Sequence, residues 1–260
     1  MISHLRKNSL RRVSLRTLLL VFTVMAALIA FKANQVRRIK NAKTAIVENG
    51  GQIAYSLDGS IAPKLSGPKW LHGIGEEFFA RDVVRVAFPY YPDAGTLIKS
   101  NSETQKLSPA TDDILNLLRP LSGVEWLVLT NSEVTDSGLN HVTKLHQLQT
   151  LHLNGSTSIT DEGIRLLSQS TNLKRLDLSG TAISDKALLH LSRCSNLVAL
   201  ELNSTDISDE GIRNLATLSK LKELHLNDTN VSEAGASSLR SQLPNCSVTH
   251  GDLASLGDQW

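Results

Sequence analysis

Cysteine and aromatic residues are scarce in this sequence of 260 residues, which contains 2 Cys and only 4% Phe, Trp and Tyr. Two cysteines are too few for a disulfide framework, and their spacing does not match a zinc-binding motif. The sequence also lacks the short motifs of serine hydrolases, zinc proteases and P-loop nucleotide-binding proteins. We therefore expect no enzymatic activity, no cofactor and no metal site, and a core built from aliphatic side chains.

Acidic residues are absent from residues 1–47, which contain ten Lys and Arg. Residues 48–260 contain all 25 Asp and Glu and the other 17 of the 27 Lys and Arg, so their formal charge is negative. This separation is typical of a basic segment that flanks a membrane span and is joined to a mildly acidic domain. The acidic domain lacks the basic patch that nucleic-acid binding requires, so nucleic acid is not an expected partner.

Residues 17–31 form an uncharged apolar run between Arg16 and Lys32. A helix of this length covers about 22 Å, whereas the hydrocarbon core of a bilayer is about 30 Å thick. Basic side chains on both sides can extend to the membrane interfaces and compensate for the difference. A signal peptide and a buried soluble helix are the alternatives, but no A-x-A-like cleavage site follows and both flanks are purely basic. We expect an uncleaved transmembrane signal-anchor helix.

The orientation of this anchor is weakly determined, since five basic residues precede the apolar run and five follow it. The free amine and the shortness of the leading tail favour an N-terminus on the inner side of the membrane. The large domain of this single-pass membrane protein would then lie on the outer side, in the periplasm or another extracytoplasmic space.

The segment after the apolar run has a helical pattern over residues 32–49, and Gly50-Gly51 supplies its end. A loop rich in Gly, Pro and Ser follows. The apolar pairs Trp70-Leu71 and Phe78-Phe79 are expected to cover the open end of the next domain, and a docking patch is the alternative.

Residues 121–245 repeat with a period of 24 or 25 residues. The shared frame is L-x-x-L-x-L-x-x-T-x-I-[ST]-D-x-G-[LI]-x-x-L, and its five units begin at Val124, Leu148, Leu173, Leu197 and Leu221. An atypical earlier unit contains Val83, Val86 and Phe88, and an insertion at residues 89–110 interrupts it.

Each unit is predicted to form one strand and one helix that cannot bury a core alone. The L-x-L alternation indicates a strand with one buried face. The Ser or Thr before each aspartate is typical of a helix N-cap, and the aspartates are expected to be acids of the first turn. These aspartates are Asp136, Asp161, Asp185 and Asp209. Stacked units would form a parallel sheet over a continuous leucine core, with Cys194 and Cys246 as buried free thiols in different columns.

The frame resembles leucine-rich repeats, and T-x-I-T-D-x-G-L is similar to the subtype of bacterial internalin-like and membrane-anchored repeat proteins. It also resembles the cysteine-containing repeats of F-box proteins, most closely at CSNLVALELNSTDISDEG from Cys194. The resemblance implies an α/β leucine-rich-repeat solenoid, with a curved parallel sheet and helices on its convex side. The apolar run at residues 17–31 predicts one N-terminal transmembrane helix before it. The F-box resemblance would imply an adaptor that delivers substrates to an enzyme.

The predicted organisation has six parts. They are a basic tail (1–16), the anchor (17–31), a juxtamembrane helix and N-terminal cap (32–80), the atypical repeat (81–123), the repeats (124–250) and a C-terminal tail (251–260).

The exposed face of the sheet, which we call the sheet face, holds the best candidates for a binding site. The repeat frame leaves its positions free, and large or charged residues occupy them: Trp126, His152, Arg175, Asp177, Glu201, Glu223 and His225. The His-Asp-Glu-His row has the composition of a metal site, but its histidines are three strands or about 14 Å apart. Tyr90 and Tyr91 in the insertion are further candidates.

We expect a membrane-anchored module that binds an unidentified protein partner, with no small-molecule substrate. A structural protein of the cell envelope and the substrate adaptor are the alternatives.

Overall fold

A computed structural model describes residues 15–54, 85–88, 99–100, 103–104 and 109–251. The helices are α1 (Leu15–Glu48), α2 (Asp112–Leu117), α3 (Leu139–Val142), α4 (Asp161–Leu167), α5 (Asp185–Leu191), α6 (Asp209–Ile212, continued by a 3₁₀ turn) and α7 (Glu233–Gln242). The strands are β1 (Gln52–Ala54), β2 (Arg85–Ala87), β3 (Lys99–Ser100), β4 (Glu103–Thr104), β5 (Trp126–Val128), β6 (Thr150–His152), β7 (Arg175–Asp177), β8 (Ala199–Glu201), β9 (Glu223–Asn227) and β10 (Ser247–Gly251). Tyr90 and Tyr91, and the apolar pairs at residues 70–71 and 78–79, lie outside the described residues.

Eight strands form one sheet in the order β1-β2-β5-β6-β7-β8-β9-β10. The strand β1 pairs antiparallel with β2, and every later neighbour is parallel, as the repeat pattern predicts. The register is constant, so Leu127, Leu151, Leu176, Leu200 and Leu224 stand opposite one another along the sheet. The short pair β3–β4 lies within the insertion and forms a separate antiparallel ribbon.

The core is a continuous column of aliphatic side chains between the strands and the helices. Leu176, Leu200 and Leu224 are buried, as their frame position predicts. Cys194 and Cys246 are buried free thiols, which also confirms the prediction. Burial raises the pKa of Cys194 to about 11, so this side chain stays a protonated thiol at neutral pH.

The N-terminal end of the sheet is covered by the last turns of α1 and by β1. Ala42 and Ile46 on α1 belong to the core, and Ile39 packs against it. Gly50 then adopts a φ of 78°, which reverses the chain into β1. The helix face predicted for residues 32–49 and the glycine that ends the helix are therefore both present. The helix α1 also covers part of the open end that the apolar pairs at residues 70–71 and 78–79 were expected to cover.

The predicted anchor at residues 17–31 lies within α1. Where its side chains are described, the large apolar ones are exposed, namely Leu20, Phe22, Val24, Met25, Leu28, Ile29 and Phe31. Among the residues described, no helix combines the length and the apolar character needed to cross a membrane.

Asp161, Asp185 and Asp209 are acids of the first helical turn, as predicted, whereas Asp136 precedes α3, which begins only at Leu139. These aspartates also connect each repeat to the next one. Asp185 accepts hydrogen bonds from the amide of Ser208 (2.8 Å) and from its hydroxyl (2.6 Å). The same pair of bonds joins Asp112 to Thr135, Asp136 to Thr160, Asp161 to Ser184 and Asp209 to Ser232. We call these contacts the aspartate ladder. In each contact, the aspartate takes the place of water as the hydrogen-bond partner of two donors, one backbone amide and one hydroxyl.

The predicted N-caps are only partly correct. Thr160 and Ser208 precede their helices, and their hydroxyls accept a backbone N–H of the first turn. Ser232, which precedes a glutamate, caps α7 in the same way. Ser184 has the cap position without that bond. Thr135 does not cap a helix, because α3 begins only at Leu139. The hydroxyl of Thr135 instead donates to Asp112 across the repeats, a bond that a local sequence pattern does not reveal.

Two aspartates of the ladder, Asp112 and Asp209, make stability depend on pH. The hydroxyl and amide of Ser232 hold the pKa of Asp209 below its usual value. Burial raises the pKa of Asp112, but hydrogen bonds from Thr135 and Ser137 outweigh it, and the net pKa is lowered. A pKa lowered by folding adds stability above the unfolded-state value of about 3.9 and loses it as pH falls through the folded value. Urea titrations should therefore show the free energy of unfolding decreasing below about pH 4.

The variant Ser232→Ala tests the origin of this acid sensitivity. It removes the hydroxyl that most lowers the pKa of Asp209, so its loss of stability between about pH 4 and pH 2 should be smaller than that of the wild type. An identical pH dependence would show that Asp209 does not contribute.

Candidate functional site

All seven sheet-face candidates lie on strands β5 to β9, on the side of the sheet opposite the core. They occupy the first and third positions of each strand, on either side of a buried leucine. The constant register aligns the third positions into one row: Val128, His152, Asp177, Glu201 and His225. The repeat frame therefore brings together residues that are distant in sequence.

Trp126 and His152 form a stacked pair at the first end of the row. Their ring centroids are 5.9 Å apart and the ring planes differ by 21°. The two residues are diagonal neighbours, since Trp126 stands opposite Thr150 and His152 is two residues further along the same strand. The alternation of the frame puts both rings on one face. A comparison of diagonal neighbours on adjacent strands, in the register that the frame predicts, identifies this contact from the sequence.

Asp177 departs from the prediction that it is exposed, because only 9% of its surface is accessible. Its Oδ1 accepts a hydrogen bond from the amide of Ser179 at 3.0 Å, and Nδ1 of His152 lies 3.6 Å from Oδ2. The carboxylate of Asp177 therefore belongs to the row and also accepts a local hydrogen bond in the turn that follows β7.

Glu201 stands directly opposite Asp177 on the adjacent strand. Burial and the negative charge of Asp177 raise the pKa of Glu201, while His225, His152 and Arg175 act weakly in the opposite direction. Two carboxylates in directly opposite positions repel each other. The arrangement thus costs stability, and the repeat frame does not require it.

Arg175 and Glu223 form an ion pair across Ala199, the small residue on the strand between them. Nη1 of Arg175 lies 3.4 Å from Oε2 of Glu223, and about half of each side chain is exposed. At the far end of the row, Nδ1 of His225 lies 2.8 Å from the hydroxyl of Thr249 on β10.

The described residues contain no group of three or more His, Cys, Asp and Glu side chains arranged to hold a metal ion. The seven candidates thus form a surface of aromatic, acidic and basic side chains, on which Trp126 pairs with His152 and Arg175 pairs with Glu223.

A sequence model for leucine-rich repeats matches residues 141–168, 169–192, 193–216 and 217–239. These segments are leucine-rich repeats. The match confirms the kind of repeat that the frame predicts for this part of the chain. No curated protein matches the sequence.

Several solved structures are similar to about half of this chain. Internalin C2 from Listeria monocytogenes is 32% identical over 52% of this chain and 55% of its own, with a TM-score of 0.44. A leucine-rich-repeat protein from Leptospira interrogans is 25% identical over 52% of this chain and 33% of its own, with a TM-score of 0.41. The plant peptide hormone receptor RGFR1, solved in complex with RGF2, is 15% identical over 52% of this chain and 22% of its own, with a TM-score of 0.37.

Proposed function

We propose that the chain is a membrane-anchored protein-interaction module whose leucine-rich repeats bind a protein partner on the sheet face. Stacked repeats present extended surfaces, and such surfaces are the usual binding sites of solenoid proteins.

The observation that carries this proposal is the type of residue found at the sheet-face positions, whose side chains do not belong to the core. Trp, Arg and His side chains concentrate there, although a small polar residue would meet the needs of a solvated strand. Trp and Arg are the residues that most often dominate the energy of protein interfaces. Their presence on one continuous face favours a partner that covers several repeats.

The double variant Arg175→Ala/Glu223→Ala should weaken binding without unfolding the protein. The two side chains pair with each other at the surface, and such pairs contribute about 0–1 kcal/mol. The thermal midpoint should therefore change little. Crosslinking in the native membrane should capture the partner about tenfold more weakly, equivalent to about 1.4 kcal/mol.

The matched control is Glu162→Ala/Arg165→Ala on α4. These residues also form an exposed Arg–Glu pair, at 2.6 Å, on the helix side of the repeats. Capture should be unchanged in this control. Loss of capture only in the control would place the binding site on the helices, and loss only after deletion of residues 89–110 would place it on the insertion.

The anchor is the second element of the proposal, with the repeats on the outer side of the membrane. Three observations support it: the ten basic residues in residues 1–47, the absence of acids there, and the exposed apolar side chains on the first half of α1. A solvated helix would not keep Phe22, Ile29 and Phe31 more than half exposed without a cover.

Membrane fractionation tests the anchor directly. The full-length protein should resist carbonate extraction, and N-terminal sequencing should begin at Met1 or Ile2. A mature N-terminus beyond residue 30 would contradict the anchor and would indicate an exported protein with a cleaved signal peptide. Protease added to intact cells or spheroplasts should digest the repeats if they lie on the outer side.

A further inference from the structure

The charges of the sheet face are not balanced within the described residues. Arg175 is paired with Glu223, which leaves Asp177 and Glu201 as the remaining fixed charges of the row. Neither carboxylate forms an ion pair with a lysine or arginine of the described residues. Asp177 accepts a hydrogen bond from the amide of Ser179 through Oδ1 and has Nδ1 of His152 3.6 Å from Oδ2. The centre of the sheet face therefore carries an excess of negative charge.

The stacked rings of Trp126 and His152 border this negative centre. His152 stands opposite Asp177, and Asp177 stands opposite Glu201, in three consecutive strands. Neighbouring strands are about 4.8 Å apart, so a planar group between the two carboxylates lies next to the ring of His152, the nearer of the two stacked rings. A guanidinium fits this combination because it binds carboxylates through parallel N–H groups and stacks on aromatic faces.

We infer that the sheet face binds an arginine side chain of its protein partner, with the guanidinium held by Asp177 and Glu201 beside the stacked rings of Trp126 and His152. This inference rests on the proposed function, because it names the chemistry of the partner at the same surface. A bound cation would also relieve the repulsion between the two carboxylates, whose opposed placement destabilises the free protein. The raised pKa of Glu201 is consistent with an unneutralised site.

The probe is a short glycine–serine peptide with one arginine at its centre, titrated into the full-length protein in detergent and followed by NMR. The arginine peptide should shift the signals of the Trp126 indole and the His152 ring. Its citrulline counterpart, which keeps the shape and lacks the charge, should bind at least tenfold more weakly. The lysine counterpart should also bind more weakly, since an ammonium group cannot stack as a plane.

The variant Asp177→Asn/Glu201→Gln should reduce binding of the arginine peptide at least tenfold. The control Glu133→Gln/Glu210→Gln removes the same two negative charges at exposed positions away from the row and should leave binding unchanged. Equal binding of the arginine and citrulline peptides, or unchanged binding by the Asp177/Glu201 variant, would overturn the inference. Equal loss in the control variant would also overturn it, because net charge alone would then explain binding.

Two further results separate this inference from the proposed function. If Arg175→Ala/Glu223→Ala lowers capture of the native partner while the arginine peptide does not bind, the sheet face is the binding site but its ligand is not an arginine. If the arginine peptide binds only after residues 92–107 are deleted, the insertion of this chain occupies the site, and the inferred external arginine is wrong.

Discussion

Leu188→Ala should lower the free energy of unfolding by about 2–5 kcal/mol, whereas Leu189→Ala, at the next residue, should lower it by less than about 0.5 kcal/mol. Leu188 is fully buried in the core, but 56% of the surface of Leu189 is exposed. Truncating the buried side chain removes apolar contacts and leaves a cavity that the neighbouring repeats cannot fill completely.

The two variants share the same chemical change and the same helix, α5, so helix propensity cannot explain a difference between them. Urea denaturation of both, under conditions where the protein unfolds reversibly, provides the measurement. Similar losses at the two positions would contradict the assignment of Leu188 to the core face.

Gly211→Ala should destabilise the protein by about 1–3 kcal/mol, although the same change usually stabilises the interior of a helix by about 0.5–1 kcal/mol. A Cβ at residue 211 would overlap the carboxylate of Asp185 and lie 3.0 Å from its Cα. The backbone of one repeat therefore has to move away from the next to accommodate a single methyl group. Thermal or urea denaturation would show the reversed sign.

The aspartate explains this cost, and a double-mutant cycle tests the explanation. Asp185→Ala removes the carboxylate and the two hydrogen bonds that it accepts from Ser208. In that background Gly211→Ala should cost much less than in the wild type, which gives a coupling energy of about 0.5–3 kcal/mol. Simple additivity would mean that the clash arises from another contact.

The architecture of the repeats could be predicted because a single pattern, copied five times, combines alternation in the strand with helical spacing afterwards. Leu176, Leu200 and Leu224 needed only that pattern to be placed in the core. The aspartate ladder could not be predicted in the same way, since Asp185 and Ser208 are 23 residues apart and each has a local explanation as a first-turn acid or a cap. The glycines at residues 138, 163, 211 and 235 carried the missing signal, because a Cβ at each would touch the aspartate of the preceding repeat, although Ala187 holds the corresponding position in its own repeat.

The candidate site shows the same limit. Period-two alternation was enough to place seven side chains on one face, but it contains no information on how far each one is covered. Asp177 was expected to be exposed, and the turn bond to Ser179 together with the neighbouring His152 makes it buried. The pairing of Trp126 with His152 depends on the register between strands, which is a property of the stacked repeats and not of one repeat.

The aspartate ladder also has an evolutionary consequence. Each repeat offers an acceptor to the repeat after it and receives the same acceptor from the repeat before it, so the internal junctions share one pair of hydrogen bonds. Duplication or loss of one whole unit would therefore join surfaces that form the same two bonds. Glu233, which stands at the aspartate position of its unit, pairs instead with Arg240 at 2.7 Å in its own helix. A unit with glutamate at this position does not offer the acceptor to a following repeat. Gene duplications that lengthen the array are therefore expected among the units that keep aspartate.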